Sequence, residues 1–266
     1  MIERMFDQPI QLTPAQFKFY EDNGYLVVEN ALSHSECDKA LEVLEYHAKK
    51  SGNKNYAAVM NLDRPEEWRH VYGQNDHWIH QYVRQILAKH PVLVTALETL
   101  QQKKPGELVM MQTMVLYKKA GSEYAGQAWN PHQDGCYHGA QFGTTLSANI
   151  AFTDHDRENG CLFMFPGSHK EGRFFEAVET SSYREKPGQK PGHDISASLP
   201  EKYKSRVVDL NLKKGSLFIF HGGVAHGSHP NVSDRDRTTF SAPYKIVGAP
   251  FSTGHGISKR MEIPVR

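Results

Sequence analysis

The spacing of apolar residues changes its period near residue 107, dividing the chain into a helical first part and a strand-rich second part. Thr13-Pro14-Ala15-Gln16 has the form of a capping box with proline at the first helical position, predicting a short helix to about Asn23. Gly24-Tyr25-Leu26-Val27-Val28 then reads as a β-branched and aromatic strand. Ser33-His34-Ser35-Glu36 is a second capping box, followed by Ala40, Leu41, Val43, Leu44 and His47 at helical spacing. His34 and His47 read as surface or helix-face residues. Residues 53–76 are polar and predict an irregular connection. A third helical region runs from about His77 to Gln102, broken near Lys89-His90-Pro91, because proline disfavours helix at the residue before it.

Beyond residue 107 the pattern is that of strands. Leu108 to Tyr117 is one long, nearly continuous apolar run interrupted by Gln112, either a satisfied core amide or a ligand contact inside a barrel. Lys118 to Gln127 is a glycine-containing loop, and Thr144 to Thr153 is the next strand, with Asn149 as its polar interruption. Asp154 to Gly160 is a turn by composition, and Leu162-Phe163-Met164-Phe165 is a short buried strand. Residues 170–204 are rich in Lys, Glu, Gly, Pro and Ser, as expected of a solvated insertion or a lid. Strand signals resume at 206–208, 216–220, 223–225 and 237–247. Helices first and many short strands afterwards predict a mainly β fold. It is a barrel or jelly roll (107–250) with helical support from residues 1–106, in one domain over 1–266.

Composition narrows the function classes. A net charge of +1 with dispersed basic residues gives no electrostatic footprint for nucleic acid. No apolar run approaches membrane-span length, and Met1 to Thr13 carries charges where a signal peptide would carry an apolar stretch. Three widely spaced cysteines, Cys37, Cys136 and Cys161, read as reduced thiols of a cytoplasmic protein rather than a disulfide framework. The expected partner is a small-molecule substrate, and the expected state is a monomer or weak homodimer.

Candidate chemistry concentrates at Trp129-Asn130-Pro131-His132-Gln133-Asp134-Gly135-Cys136-Tyr137-His138. In a strand, residues i and i+2 share a face, so His132 and Asp134 would point into one space. They are two thirds of the two-His, one-carboxylate triad that holds non-haem Fe(II) with open positions. With 15 histidines in the chain, this spacing alone proves little. For a third ligand, His221, His226 and His229 compete; His226, after Val224-Ala225 and before glycine, is placed to end a strand. Arg237 and Thr239 lie on one strand face beyond it, and an inward arginine beside a hydroxyl makes a bidentate seat for a carboxylate. The competing reading of Arg237 is an edge arginine paired with Asp234 or Asp236.

These segments, in this order, resemble the phytanoyl-CoA dioxygenase family of Fe(II)- and 2-oxoglutarate-dependent oxygenases. The likeness rests on Leu12 to Gln16 with Asp22 to Val28, His132-Gln133-Asp134, and Asp154 to Gly160. Phe165-Pro166-Gly167-Ser168-His169 and His226-Gly227-Ser228 with Asn231, Ser233 and Arg237 complete it. The resemblance implies a double-stranded β-helix holding Fe(II) by His132, Asp134 and His226. It implies 2-oxoglutarate held by Arg237 and Thr239, with Gln112 nearby, and O2 as co-reactant. A carboxylate at 134, where some relatives have Ala or Gly and room for halide, implies hydroxylation over halogenation. Tyr137, Asn149, Gln133 and Trp129 are the candidate substrate contacts, and their polarity favours a small polar metabolite such as an amino acid, a betaine or an organophosphonate. A cupin-type metal-dependent isomerase would need neither Arg237 nor O2; a silent sensor would bind 2-oxoglutarate or metal without releasing succinate.

Overall fold

The computed structural model describes residues 10–52, 58–72, 78–180, 194–254 and 259–266. Both capping boxes form as the sequence predicts: Thr13 and Gln16 start α1 (Pro14–Asn23), and Ser33 and Glu36 start α2 (His34–Lys50). Between them β1 (Tyr25–Val28) joins a sheet. β2 (Ala58–Met60), α3 (Arg69–Tyr72) and α4 (Trp78–Gln81) follow, and α4 continues as π-helical turns through Tyr82–Ala88. The break before Pro91 falls where proline dictates, and α5 (Pro91–Leu100) begins there.

The strand region carries β3 (Leu108–Met110), β4 (Met114–Lys118), β5 (Trp129–His132), β6 (Thr145–Ala151) and β7 (Leu162–Met164), with α6 (Asp134–Tyr137) after β5. β8 (Ala177–Thr180) and β9 (Asp194–Ala197) pair with each other, and α7 (Glu201–Lys204) leads to β10 (Val208–Asp209). β11 (Leu217–His221), β12 (His226–Ser228), β13 (Arg237–Ile246) and β14 (Ile263–Pro264) complete the chain. One large antiparallel sheet runs β1-β11-β6-β13-β3-β14, with β4 also on β13 and β2 on β4. A smaller sheet has the order β10-β7-β12-β5. The protein is therefore mainly β with antiparallel sheets and supporting helices.

Strand alternation divides the large sheet's two faces. Ala148, Ile150, Phe240, Ala242 and Tyr244 pack against Val43, Leu44, Leu93 and Leu97 of the helices in the main core. Tyr117 and Tyr244 pin this layer by donating to the carbonyls of Leu44 (2.9 Å) and Ala88 (2.6 Å). The opposite face contributes Ala151, Phe218 and Phe220 to a second cluster with Met164 of the smaller sheet. Polar residues of the same parity, Ser147, Asn149, Arg237 and Thr239, therefore look between the sheets.

Three expectations change. The apolar run 108–117 is two strands rather than one, because Pro243 on β13 has no N–H to return to the facing Met111. The Met111 N–H donates to the Pro243 carbonyl (2.8 Å), but the Met111 carbonyl accepts from Arg64 Nη2 (2.9 Å) and Met261 N (3.0 Å) instead. Residues 223–225 form a turn, so His226 opens β12 rather than ending a strand. His47 is fully buried and hydrogen-bonded to the Tyr72 hydroxyl, a core residue rather than a surface one. Of the proposed lid at 170–204, residues 181–193 lie outside the described residues; the flanks form the β8–β9 hairpin, with Ser196 Oγ donating to the Pro131 carbonyl of β5 (3.3 Å).

Burying neutral imidazoles makes the fold acid-sensitive. Desolvation, with His80 nearby, pushes His47 down to about 3, and desolvation, with Arg237 nearby, does the same to His155. Both values lie below that of an unfolded histidine, so unfolding takes up protons between them. Their stabilising contribution is intact above about pH 6.5 and is lost as pH falls toward 3. Each is expected to remove roughly 2 kcal/mol between pH 6.5 and 5. Thermal melts across that range check this; a midpoint that does not fall contradicts it.

Candidate metal and cosubstrate centre

Backbone pairing brings the distant histidines together. His226 on β12 is the cross-strand partner of His132 on β5, and their rings lie 4.3 Å apart. Gly227 permits this approach: a Cβ there would sit 2.4 Å from both the Trp129 carbonyl and Phe163. Asp134 arrives differently from the expected strand alternation. β5 ends at His132, and Asp134 is the first residue of α6, whose turn carries the carboxylate back toward both rings.

Asp134 Oδ1 lies 3.5 Å from His132 Nε2 and 3.6 Å from His226 Nε2. Those gaps suit ligands arranged around one shared ion, and the three groups form a cluster capable of holding a metal. Both rings are oriented for that task. Nδ1 of His132 meets the Asn130 carbonyl (2.8 Å) and Nδ1 of His226 meets the Val224 carbonyl (3.2 Å), which turns each Nε2 toward the carboxylate. Burial first, then His132, pushes His226 down to about 4, leaving at neutral pH the uncharged ring a metal requires. Burial opposes ionisation of Asp134, but His226 and His132 outweigh it and hold the carboxyl well below the usual range.

Ser147 on β6 is a site residue the sequence did not reveal. Its hydroxyl donates to Asp134 Oδ2 at 2.5 Å, fixing the carboxylate with the other oxygen facing the histidines. The competing histidines are engaged elsewhere. His221 Nδ1 accepts from Gly223 N (2.8 Å). His229 pairs with Asp209 (2.7 Å), and although Cys161 completes a second metal-capable cluster there, the Arg157 guanidinium already sits against Asp209 (2.9 Å).

Arg237 is 1% exposed and has no carboxylate within ion-pairing distance among the described residues. Its Nε and Nη2 donate to the Gly160 carbonyl (3.0 and 2.9 Å) and Nη1 donates to Thr239 Oγ1 (3.0 Å). The pairing with Asp234 or Asp236 weighed from the sequence does not form; Asp236 instead accepts from Ala120 N. Gly160 holds φ +89°, and a Cβ there would crowd His229, Lys118 and Asn231. Lys118, across β4 from Arg237, is equally buried and donates to the Gln127 carbonyl and Ser228 Oγ, both at 2.8 Å. Burial, then Arg237, pushes Lys118 down to about 6. A desolvated guanidinium without a counter-charge could seat an anion.

The remaining candidates divide. Tyr137 is 43% exposed with its ring edge-on to His132 at 5.5 Å, and Trp129 lies 6.2 Å from the same ring. Asn149 shares the inward face with Ser147 and donates to the Phe218 carbonyl (3.2 Å). Gln112 is buried in the break between β3 and β4, next to Met111, whose N–H donates to the Pro243 carbonyl (2.8 Å). Gln133, expected at the substrate, is turned into the protein. Its amide donates to the Gly223 carbonyl and accepts from Phe175 N, both at 2.6 Å, so it ties α6 to its neighbours.

A profile of the family described as Phytanoyl-CoA dioxygenase (PhyH) matches residues 20–239, spanning all of these groups. The chain belongs to the phytanoyl-CoA dioxygenase family. Iron and 2-oxoglutarate, with O2 as co-reactant, are the cofactors of this phytanoyl-CoA dioxygenase family protein. It is 27% identical over 272 residues to Phytanoyl-CoA dioxygenase domain-containing protein 1 of Bos taurus, covering 86% of this chain and 89% of that protein. It is 26% identical over 258 residues to the peroxisomal phytanoyl-CoA dioxygenase of Bos taurus, covering 93% and 73%. The fold is shared with the epimerase SnoN in complex with Fe3+, alpha ketoglutarate and nogalamycin RO, at TM-score 0.63, 20% identity and 94% coverage of each chain. The non-heme alpha ketoglutarate dependent carbocyclase SnoK gives TM-score 0.63 at 17% identity, covering 97% of this chain and 98% of its own. Among the described residues, no helix is long and apolar enough to cross a membrane.

Proposed function

We propose that this family member is a 2-oxoglutarate-dependent oxygenase that hydroxylates a small polar metabolite on iron held by His132, Asp134 and His226. The observation that carries the reading is the convergence of two carbonyl-oriented imidazoles on one oxygen of a carboxylate whose other oxygen is fixed by Ser147. The buried, uncompensated Arg237 with Thr239 receives the far carboxylate of 2-oxoglutarate. When bound, iron and 2-oxoglutarate together activate O2 and supply the oxidising step, with release of succinate and CO2. The protein's own residues position and shield. Tyr137, Trp129 and Asn149 border the substrate, Gln112 contacts the cosubstrate, and the β8–β9 hairpin beside β5 covers the approach. Two facing sheets with this strand order fit a double-stranded β-helix, one domain over residues 1–266 with its helices as support.

Succinate release scored across a small-metabolite library tests the reading, with His132→Ala as the blank. An absence of 2-oxoglutarate-dependent succinate above that blank would count against it. The structural neighbours named epimerase and carbocyclase motivate a second outcome for the same oxidation, in which no oxygen enters the product. Mass spectrometry after turnover under labelled O2 distinguishes them: hydroxylation adds labelled oxygen to the product. Ser147→Ala is expected to weaken iron binding about 10- to 100-fold through loss of carboxylate orientation, with the fold retained. Anaerobic Fe(II) titration checks this, and unchanged affinity would remove Ser147 from the site.

A further inference from the structure

The C-terminal segment is built into the large sheet's edge. β14 pairs with β3, Met261 N donates to the carbonyl that Pro243 leaves unpaired, and Lys245, itself buried, pairs with Glu262. Arg266 anchors the end on Glu98 (2.6 Å). Immediately before these anchors stands Arg260, whose backbone N–H donates to the Thr253 carbonyl (2.6 Å) and whose Nη1 reaches the Ser252 carbonyl at 3.4 Å. Ser252 N in turn donates to the His138 carbonyl (2.7 Å), at the end of the α6 turn that begins with Asp134.

Arg260 and His138 share an unusual condition. Arg260 Nε and His138 Nδ1 are both buried without a hydrogen-bonding partner among the described residues, and the His138 side chain is 6% exposed. Such orphans carry an uncompensated desolvation cost and are rare in native interiors. Both groups lie close enough to Asp134 to interact with its charge, and they interact with one another. Arg260 is not simply the counter-ion of Asp134. The two are not within ion-pairing distance, and the carboxylate is already engaged by Ser147, His132 and His226. Ser252 joins the two residues, and His138 N donates to the Asp134 carbonyl (3.0 Å), so a guanidinium and an imidazole that each keep one unpartnered nitrogen stand next to a metal-cluster residue and match an incoming oxyanion.

We infer that Arg260 and His138 form the seat for an anionic group of the substrate, so the enzyme acts on an oxyanion-bearing metabolite, a carboxylate or a phosphonate. The inference rests on the oxygenase reading for its reaction but not for its binding chemistry. Arg237 is the first residue of β13, bonded to Gly160 and Thr239, and serves a different anion. A substrate held at Arg260 is oriented against Asp134 and Tyr137, which fixes the carbon presented to the iron.

The test titrates butyrate, butyramide and methylphosphonate into the anaerobic Fe(II)–2-oxoglutarate enzyme and follows its charge-transfer band. At least one acid is expected to perturb the band saturably while the amide does not. Arg260→Gln should weaken that binding about tenfold or more, with Arg260→Lys retaining part of it. Carboxylate or phosphonate preference tells which oxyanion fits. An amide that binds as well as the acids, acids that bind Arg260→Gln and wild type alike, or no acid binding at all would overturn the inference. Calorimetric titration of the same probes into iron-free protein reads the seat without the metal. Acids that bind there through Arg260 in a protein that forms no band would sink the iron reading and leave the seat standing.

Discussion

His226→Ala is expected to abolish the charge-transfer band that forms anaerobically with Fe(II) and 2-oxoglutarate, and to cut succinate release more than about 100-fold. Losing a group that merely orients a ligand weakens a metal site about 10- to 100-fold, so losing a ligand must do more. The geometry makes His226 the sharper choice over His132. Its side chain is 4% exposed, it packs 4.4 Å from the Phe220 ring, and its Nδ1 is committed to Val224, so among the described residues water has little room to replace it productively. Truncation also removes buried ring contacts, so some thermal destabilisation of the metal-free protein is expected. Asp134→Ala separates the two effects, because the carboxylate lies at the partly open side of the cluster and contributes charge more than packing. Both variants should lose the band; only His226→Ala should lose core packing. A variant that keeps the band and more than about a tenth of wild-type succinate release would remove that residue from the ligand set.

What could be read from the sequence followed from local rules. Capping boxes, the helix break before Pro91 and the shift to strand periodicity each depend on a few neighbouring residues, and the structure carries all three. His132, Asp134 and His226 were legible as residue types, but the reason they meet was not. The expected strand alternation is replaced by a strand end plus a helical turn, and the cross-strand pairing of His226 with His132 joins positions far apart in the chain. Ser147 escaped notice because a serine in an apolar strand carries no signature. The clue was its i, i+2 relation to Asn149, two polar residues on one face of an otherwise buried strand. The division of the 108–117 run depended on Pro243, far along the chain, and Arg260 acquires meaning only because that proline leaves a carbonyl for Met261. His47 sat at the apolar spacing of α2 and was better read as core, since helical periodicity counts the position before the side chain's polarity.

Arg237→Gln is expected to raise the Kd for 2-oxoglutarate while leaving iron binding in place. Removing one partner of a buried, hydrogen-bonded charge pair costs about 2–5 kcal/mol, or roughly 30- to 5000-fold in affinity. The ligand-free protein should respond in a different way. Its buried guanidinium has no carboxylate among the described residues to offset desolvation, which pushes it down to about 10, so deleting the charge relieves a burden that the proposed cosubstrate contact would lift. Gln can still donate to the Gly160 carbonyl, sparing that acceptor from burial alone. The two effects separate in one measurement. At 2-oxoglutarate one hundred times the wild-type Kd, wild-type iron-loaded protein gains about 2.7 kcal/mol, and the variant gains about 0.9 kcal/mol or less. Thermal melts with and without 2-oxoglutarate read both quantities together. Equal ligand-induced stabilisation in variant and wild type would move the cosubstrate away from Arg237. A large loss of stability without ligand would instead make the arginine a structural pin for Gly160 and the turn that carries it.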